Sequence, residues 1–229
     1  MCIMNKELGI IIVAGGTGTR FGGTNKLLEY IDEYPVFIYS LLNFRDTCPD
    51  NQIVLVCPST LIEKYKKIAD KFIPKNQFLY AAGGAERYNS AINGLNALPE
   101  NIEFVAVHDA ARPLANKKLL YKCLDSCKHR GSGIAAKRIN DTVKRTENDG
   151  KVVKNINRAN LWAVETPQMF KFDELKSAYR KLLQDKSTVT DDAGAMENAG
   201  FPVYLVENPD INTKITHKSD IIYIKELIQ

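Results

Sequence analysis

No apolar run in the sequence approaches the ~20 residues that a membrane-spanning helix needs, and stretches such as 9–14 are far shorter. No charged segment followed by an apolar stretch and a small-residue cleavage site opens the chain, so a cytoplasmic protein without a membrane partner is expected. C-x-x-C spacing is also missing. The five cysteines, Cys2, Cys48, Cys57, Cys123 and Cys127, are odd in number, which argues against a disulfide framework or a zinc knuckle. Cys123 and Cys127 are close enough in sequence to share a helix face, and ordinary buried thiols are the preferred reading. Blocks of lysine and arginine are absent too: 31 basic and 27 acidic side chains are interspersed to a formal charge of +4, so a nucleic-acid partner is not expected. An anionic small substrate would suit that slight excess. With no internal repeat and no Pro/Gly/Ser-rich linker, residues 1–229 read as a single domain.

What is present is the balance of a folded protein, 45% apolar and 25% charged. Continuous β-branched runs at 10–13, 53–57, 104–107 and 203–206 suit strands covered on both faces. Between them lie segments with helical spacing at 36–44, 61–72, 91–98, 119–127 and 175–183. Such alternation predicts an α/β fold, a Rossmann-like, mostly parallel sheet with right-handed crossovers. One segment breaks the pattern. Residues 140–157 carry short valine-containing runs on either side of Glu147-Asn148-Asp149-Gly150, a hairpin signature, and predict a protruding polar β-hairpin. On the pattern alone, a surface decoration and a functional arm are both open.

The most informative stretch is the run of isoleucine and valine that enters Ala14-Gly15-Gly16-Thr17-Gly18-Thr19-Arg20-Phe21-Gly22. Glycines there let backbone N–H groups wrap an anion without Cβ obstruction. Arg20 and Lys26 add fixed charge suited to a polyphosphate. A P-loop is excluded because no Gly-Lys-Ser/Thr occurs. A dinucleotide fingerprint is disfavoured because Phe21 stands where the third glycine belongs, and the next strand leads into Pro58-Ser59-Thr60 rather than an acidic ribose ligand.

These residues resemble the nucleotidyltransferases with a Rossmann-like core, and among them the 2-C-methyl-D-erythritol 4-phosphate cytidylyltransferases of non-mevalonate isoprenoid synthesis. The motifs follow in order along almost the whole chain: AGGTGTRFG at 14–22 with Lys26, GGAER at 83–87 with Ser90, VHDAARP at 107–113 and NDTVKR at 140–145. Beyond them come NR at 157–158, TPQMF at 166–170 (from Thr166), TDDA at 190–193 and NTKIT at 212–216. The resemblance implies transfer of CMP from CTP to a polyol phosphate with release of pyrophosphate, and Mg²⁺ as cofactor. Phosphoryl chemistry of this kind asks for charge neutralisation and positioning more than covalent help from the protein.

The resemblance also implies roles. Ala14, Gly15, Gly16 and Gly18 would line the triphosphate, with Arg20 and Lys26 as catalytic cations. Gly83, Gly84, Ala85 and Ser90 would receive cytosine and ribose, and Asp109 would bind the metal. Arg158, Thr166 and Lys214 would hold the acceptor phosphate, with Arg158 and Lys214 counted as catalytic. In the family the hairpin, here 140–157, crosses to a second subunit, so a homodimer follows, with Thr142 and Arg112 completing the neighbour's acceptor site. The chain departs from the family's Pro-Lys-Gln around the catalytic lysine, having Asn25-Lys26-Leu27, and the spacing from Arg20 is about one residue shorter. Ala85 stands where an acidic residue is common. The ribitol-5-phosphate cytidylyltransferases share nearly every motif: VHDAARP favours the erythritol enzyme, AGGTGTR and NRANL lean to the ribitol enzyme, and the first reading is preferred. A non-catalytic nucleotide-binding protein is a further alternative, but such a protein would be expected to have lost Lys26, Asp109 or Lys214.

Overall fold

The run Leu8–Val13 is buried along nearly its whole length and forms β1, the strand around which the rest is laid down. The computed structural model describes residues 5–15, 21 and 25–228, so Cys2, Gly16, Gly18 and Arg20 lie outside the described residues. After β1 come a small ribbon, β2 (Tyr30–Ile31) and β3 (Tyr34–Pro35), then α1 (Val36–Phe44), β4 (Ile53–Cys57), α2 (Ile62–Phe72) and β5 (Leu79–Ala82). The chain continues through α3 (Arg87–Ala97), β6 (Phe104–Asp109), α4 (Lys117–Arg130), β7 (Ser132–Arg138), β8 (Val143–Thr146) and β9 (Val152–Ile156). It ends with β10 (Trp162–Lys171), α5 (Phe172–Gln184), α6 (Asp192–Ala199), β11 (Leu205–Glu207) and α7 (Lys218–Ile228).

The central sheet has seven strands in the order β11-β7-β10-β6-β1-β4-β5. All run parallel except β10, which is antiparallel to both β6 and β7. The expected mostly parallel α/β sheet is therefore what forms. Successive strand residues feed two cores. Ile10, Ile12, Leu55 and Ala106 pack with Phe37 and Leu41 of α1, Tyr65 of α2 and Leu120 of α4. Ile11, Val54, Val56 and Val107 pack with Leu95 of α3, Leu175 of α5 and Met196 of α6. Helices on both faces explain why these strands are apolar at every position.

Where α4 ends and β7 begins, the chain turns on Gly131 at φ +94, a conformation that needs no Cβ. Two residues on, a Cβ at Gly133 would stand 2.1 Å from the Cys123 carbonyl oxygen, so α4 sits directly on the strand there. The strand expected at 203–206 is shorter and later, Leu205–Glu207. The helix expected at 91–98 starts earlier, at Arg87, because Glu86 and Asn89 form a reciprocal capping box. The hairpin forms as read: β8 and β9 make a two-stranded antiparallel sheet of their own, turned at Gly150 with φ +88. Its valines Val152 and Val153 are 55% and 58% exposed, so in one chain this arm covers neither face. No helix of the described residues is long and apolar enough to cross a membrane.

Candidate active site

The strand order reverses between β1 and β6, whose ends pair Val13 with Asp109. In open α/β sheets this reversal opens a crevice beyond the carboxyl ends of the strands. A cavity of about 410 Å³ lies there, with Gly15, Lys26, Gly84, Ser90, Asp109 and Lys214 in its wall. Ala14 is fixed by its N–H to the Val56 carbonyl at 2.6 Å, and Gly83 by its N–H to the Cys57 carbonyl at 2.8 Å. The Gly84 N–H donates to Ser90 Oγ at 3.0 Å. A Cβ on Gly15 would stand 3.2 Å from that same Oγ, and one on Gly84 only 2.3 Å from Asn89 Cβ. Glycine at these positions lets the two loops close over Ser90, and Ala85 lines the cavity beside them.

Lys26 opens a single 3₁₀ turn, Lys26–Leu28, capped by Asn25 Oδ1, which accepts the Leu27 N–H at 3.1 Å. Asn25 Nδ2 also donates to the Tyr65 hydroxyl at 3.1 Å. The departure from Pro-Lys-Gln thus has a local reason, since asparagine is a good cap. Lys26 Nζ donates to the Ile215 carbonyl at 2.5 Å, so the 3₁₀ turn and the NTKIT loop meet.

At the centre is Asp109. Its Oδ1 accepts from Arg87 Nε at 3.1 Å and its Oδ2 from Lys214 Nζ at 2.6 Å. Burial would raise the Asp109 pKa, but the Arg87 and Lys214 charges outweigh it and hold the carboxyl well below the usual range. Arg87 Nη1 reaches on to Asp192 Oδ2 at 2.7 Å, and the Tyr179 hydroxyl donates to Asp192 Oδ1 at 2.6 Å.

Behind Asp109, β10 gathers the remaining loops. Thr166 Oγ1 accepts the Asp109 N–H at 3.1 Å and lies 3.0 Å from His108 Nδ1. His108 Nε2 faces the Arg112 carbonyl at 3.2 Å, and its ring stands edge-on to Phe44 at 4.8 Å. Glu165 Oε2 accepts from Asn208 Nδ2 at 2.9 Å and Asn212 Nδ2 at 3.0 Å, which ties down the loop that carries Lys214. Gln168 Nε2 donates to Asp191 Oδ2 at 2.8 Å and its Oε1 accepts the Ala193 N–H at 3.0 Å, fixing the start of α6. Arg112 Nη1 donates to the Asn212 carbonyl at 2.7 Å.

A second hollow of about 240 Å³ shares Arg87, Asp109 and Lys214 with the first and adds Arg112, Thr166 and Asp191. Arg87 Nη2 and Arg112 Nε are buried there without hydrogen-bond partners among the described residues. A third hollow, about 380 Å³, lies on the arm between Thr142, Asn155 and Arg158. Arg158 donates to the Asn140 carbonyl at the foot of the hairpin. Thr142 therefore groups with Arg158, and Arg112 with Lys214 and Thr166. The hairpin carries its own threonine and arginine together because they flank its two strands.

A family model described as 2-C-methyl-D-erythritol 4-phosphate cytidylyltransferase matches residues 8–229. The chain belongs to this family. A relative of that name in Dictyoglomus thermophilum is 33% identical over 227 residues, covering 98% of this chain and 97% of its own. Another, in Alkaliphilus metalliredigens, is 37% identical over 215 residues, covering 93% and 89%. The crystal structure of 4-diphosphocytidyl-2C-methyl-D-erythritol synthase from Anaerococcus prevotii matches with a TM-score of 0.84 at 28% identity, over 98% of this chain and 99% of that one. The 2-C-methyl-D-erythritol 4-phosphate cytidylyltransferase structure from Francisella tularensis matches at 0.80, also 28% identical, over 96% and 99%. Enzymes of this family are cytidylyltransferases, a kind of nucleotidyltransferase.

In this cytidylyltransferase chain the described residues contain no group of three or more His, Cys, Asp or Glu side chains that could cage a metal. Two carboxylates, Glu86 and Asp109, lie in the wall of the first cavity, and Glu86 is engaged as the cap of α3, which leaves Asp109 to face a metal. One carboxylate fits a magnesium ion whose other ligands are substrate phosphates and water, the usual donor set for that ion. Several site residues escaped the sequence reading: Arg87, His108, Glu165, Gln168, Asp192 and Asn212. All but Glu165 lie inside the motifs quoted above, and Glu165 directly precedes one.

Proposed function

We propose that the chain joins CMP from CTP to 2-C-methyl-D-erythritol 4-phosphate and releases pyrophosphate, as a cytoplasmic homodimer dependent on Mg²⁺. The observation that carries this reading is the meeting of two hollows at Asp109, Arg87 and Lys214. Two phosphorylated substrates brought to either side of one cation are held for in-line transfer. An oxygen of the acceptor phosphate attacks the α-phosphorus of CTP while the bond from that phosphorus to the β-phosphate's bridging oxygen breaks. Pyrophosphate leaves with the bonding electron pair.

Charge then builds on the transferring and leaving oxygens, where Lys26 and Lys214 stand in the cavity wall. Arg20, outside the described residues, is proposed with them on the strength of its motif. Gly83, Gly84, Ala85 and Ser90 receive the nucleoside, and the glycine-lined approach favours a pyrimidine. Asp109 would hold magnesium, which when bound supplies positive charge to the triphosphate oxygens. Arg112, Thr166 and Lys214 border the acceptor side, and the hairpin of a second copy would bring Thr142 and Arg158 to complete it.

Pyrophosphate release from CTP, assayed separately with methylerythritol phosphate and ribitol 5-phosphate, tests the reading. Turnover with the first acceptor and CTP is expected, with ATP and GTP far poorer donors. Turnover with ribitol 5-phosphate alone would replace the acceptor, and no turnover with either would overturn the reading.

A further inference from the structure

Arg87 opens α3, yet its guanidinium does not turn to solvent: it spans two carboxylates, Asp109 at 3.1 Å and Asp192 at 2.7 Å. Asp192 is wholly buried, and its second oxygen takes the hydroxyl of Tyr179, which is 2% exposed. Burying a carboxylate this deeply is expensive, and a buried ion pair is on average no better for stability than apolar packing of the same volume. What apolar packing cannot do is hold a guanidinium so that Nη1 faces inward and Nε faces Asp109. With Arg87 on Oδ1 and Lys214 on Oδ2, the plane of the Asp109 carboxylate is set by two donors on different elements.

We infer that Asp192 and Tyr179 are positioning residues for the reaction: they anchor Arg87, and through it orient the Asp109 carboxylate that holds Lys214 at the junction of the two hollows. Neither residue lines the nucleotide cavity. Both belong to the helical layer of α5 and α6, so that layer acts on the site through a chain of hydrogen bonds running Tyr179, Asp192, Arg87, Asp109 and Lys214. The kinetic consequence rests on the proposed reaction, whereas the geometric one does not.

The test uses Asp192→Asn and Tyr179→Phe, each alone and combined with Asp109→Asn. Asp192→Asn is expected to lower kcat about tenfold, the scale of a sub-ångström misplacement of a reacting group, with KM for CTP changed by less than about twofold. In the Asp109→Asn background the same change is expected to do nothing further, because its effect passes through that carboxylate. Equal fold losses in both backgrounds would overturn the inference and make the pair a structural tie. Should Asp192→Asn fail to fold, Tyr179→Phe, which deletes one oxygen, runs the same cycle with the same two outcomes. Crystal structures of the unliganded variants give a readout free of turnover. Arg87 is expected to leave Asp109 Oδ1, and finding it still in contact would overturn the anchoring. If the wild type fails to turn over CTP, the functional reading falls while the crystal structures still decide this one.

Discussion

Replacing Thr166 by valine removes one oxygen at nearly constant shape, and it asks whether that hydroxyl is an internal strut or a substrate contact. The oxygen lies 3.1 Å from the Asp109 nitrogen and 3.0 Å from His108 Nδ1, while His108 Nε2 faces the Arg112 carbonyl. A carbonyl can only accept, so Nε2 carries the ring proton, and in a neutral ring Nδ1 must then accept from Thr166. The ring is neutral because burial pushes the His108 pKa down to about 3, with Arg112 adding to the fall and Asp109 opposing it. The hydroxyl proton is thus committed to His108 and its lone pair to Asp109. No proton is left for a phosphate.

Valine would orphan two buried groups, the Asp109 N–H and His108 Nδ1, at about 1–3 kcal/mol each. Because one rearrangement can relieve both, a loss of about 2–4 kcal/mol is expected. For a chain of this size that is roughly 4–16 °C in Tm. Thr166→Ser keeps the oxygen and should recover most of the loss. Thermal and urea denaturation, run beside steady-state kinetics for the acceptor, give both readouts. A Thr166→Val protein with wild-type Tm and only a raised KM for the acceptor would refute the proton assignment and make Thr166 a substrate donor.

Lys26→Ala is expected to lower kcat about 100-fold with a smaller change in CTP affinity, as for loss of a transition-state donor; unchanged kcat would remove Asn25-Lys26-Leu27 from catalysis. Stability should fall steeply with alkali, because burial pushes Cys48, Cys123 and Cys127 up to about 12 and Cys57 up to about 11 from 9. Above pH ~9 the unfolded chain releases these protons and the fold keeps them, so each thiol removes about 1.4 kcal/mol per pH unit until its folded pKa is passed. Urea denaturation between about pH 7 and pH 10 measures the slope, Cys123→Ala should reduce it by one thiol's share, and a flat profile would contradict the burial. Mixing Arg112→Ala with Arg158→Ala chains should restore activity lost in each, since one site of every heterodimer keeps both arginines; an inactive mixture despite proven subunit exchange would place both in one chain's site.

The strands that announced themselves were those whose neighbours cover them on both sides. β1, β4 and the first four residues of β6 are runs of isoleucine, valine and other small or apolar residues because two helical layers bury them. β10 was hidden for the opposite reason: its middle reads Glu165-Thr166-Pro167-Gln168, buried polar residues with a proline, and its pairing with β7 shifts register there. Those residues break the strand pattern because their side chains hold three other segments. β7, Ser132–Arg138, carries small residues where α4 rests on it at Gly133, and small residues leave no periodic apolar signal. β5 is only half-buried along its length, at the sheet edge.

The site shows the same limit in terms of charge. Asp109 and Lys214 could be named from motifs, but nothing in a sequence shows that an arginine will bridge carboxylates 22 and 105 positions away. That bridge matters because Lys26, Arg87, Arg112 and Lys214 all line the two hollows. Left alone, like charges this close would drive the side chains apart, whereas a buried carboxylate shared between two of them offsets that repulsion and holds both, at the desolvation cost of its own burial. Asp109 therefore sets where Arg87 and Lys214 stand at the junction of the two hollows. Arg87 is tied at two points, to Asp109 at 3.1 Å and to Asp192 at 2.7 Å, whereas Lys214 meets Asp109 at 2.6 Å. Arg87 keeps a second carboxylate if Asp109 is lost, so Asp109→Asn is expected to displace Lys214 more than Arg87.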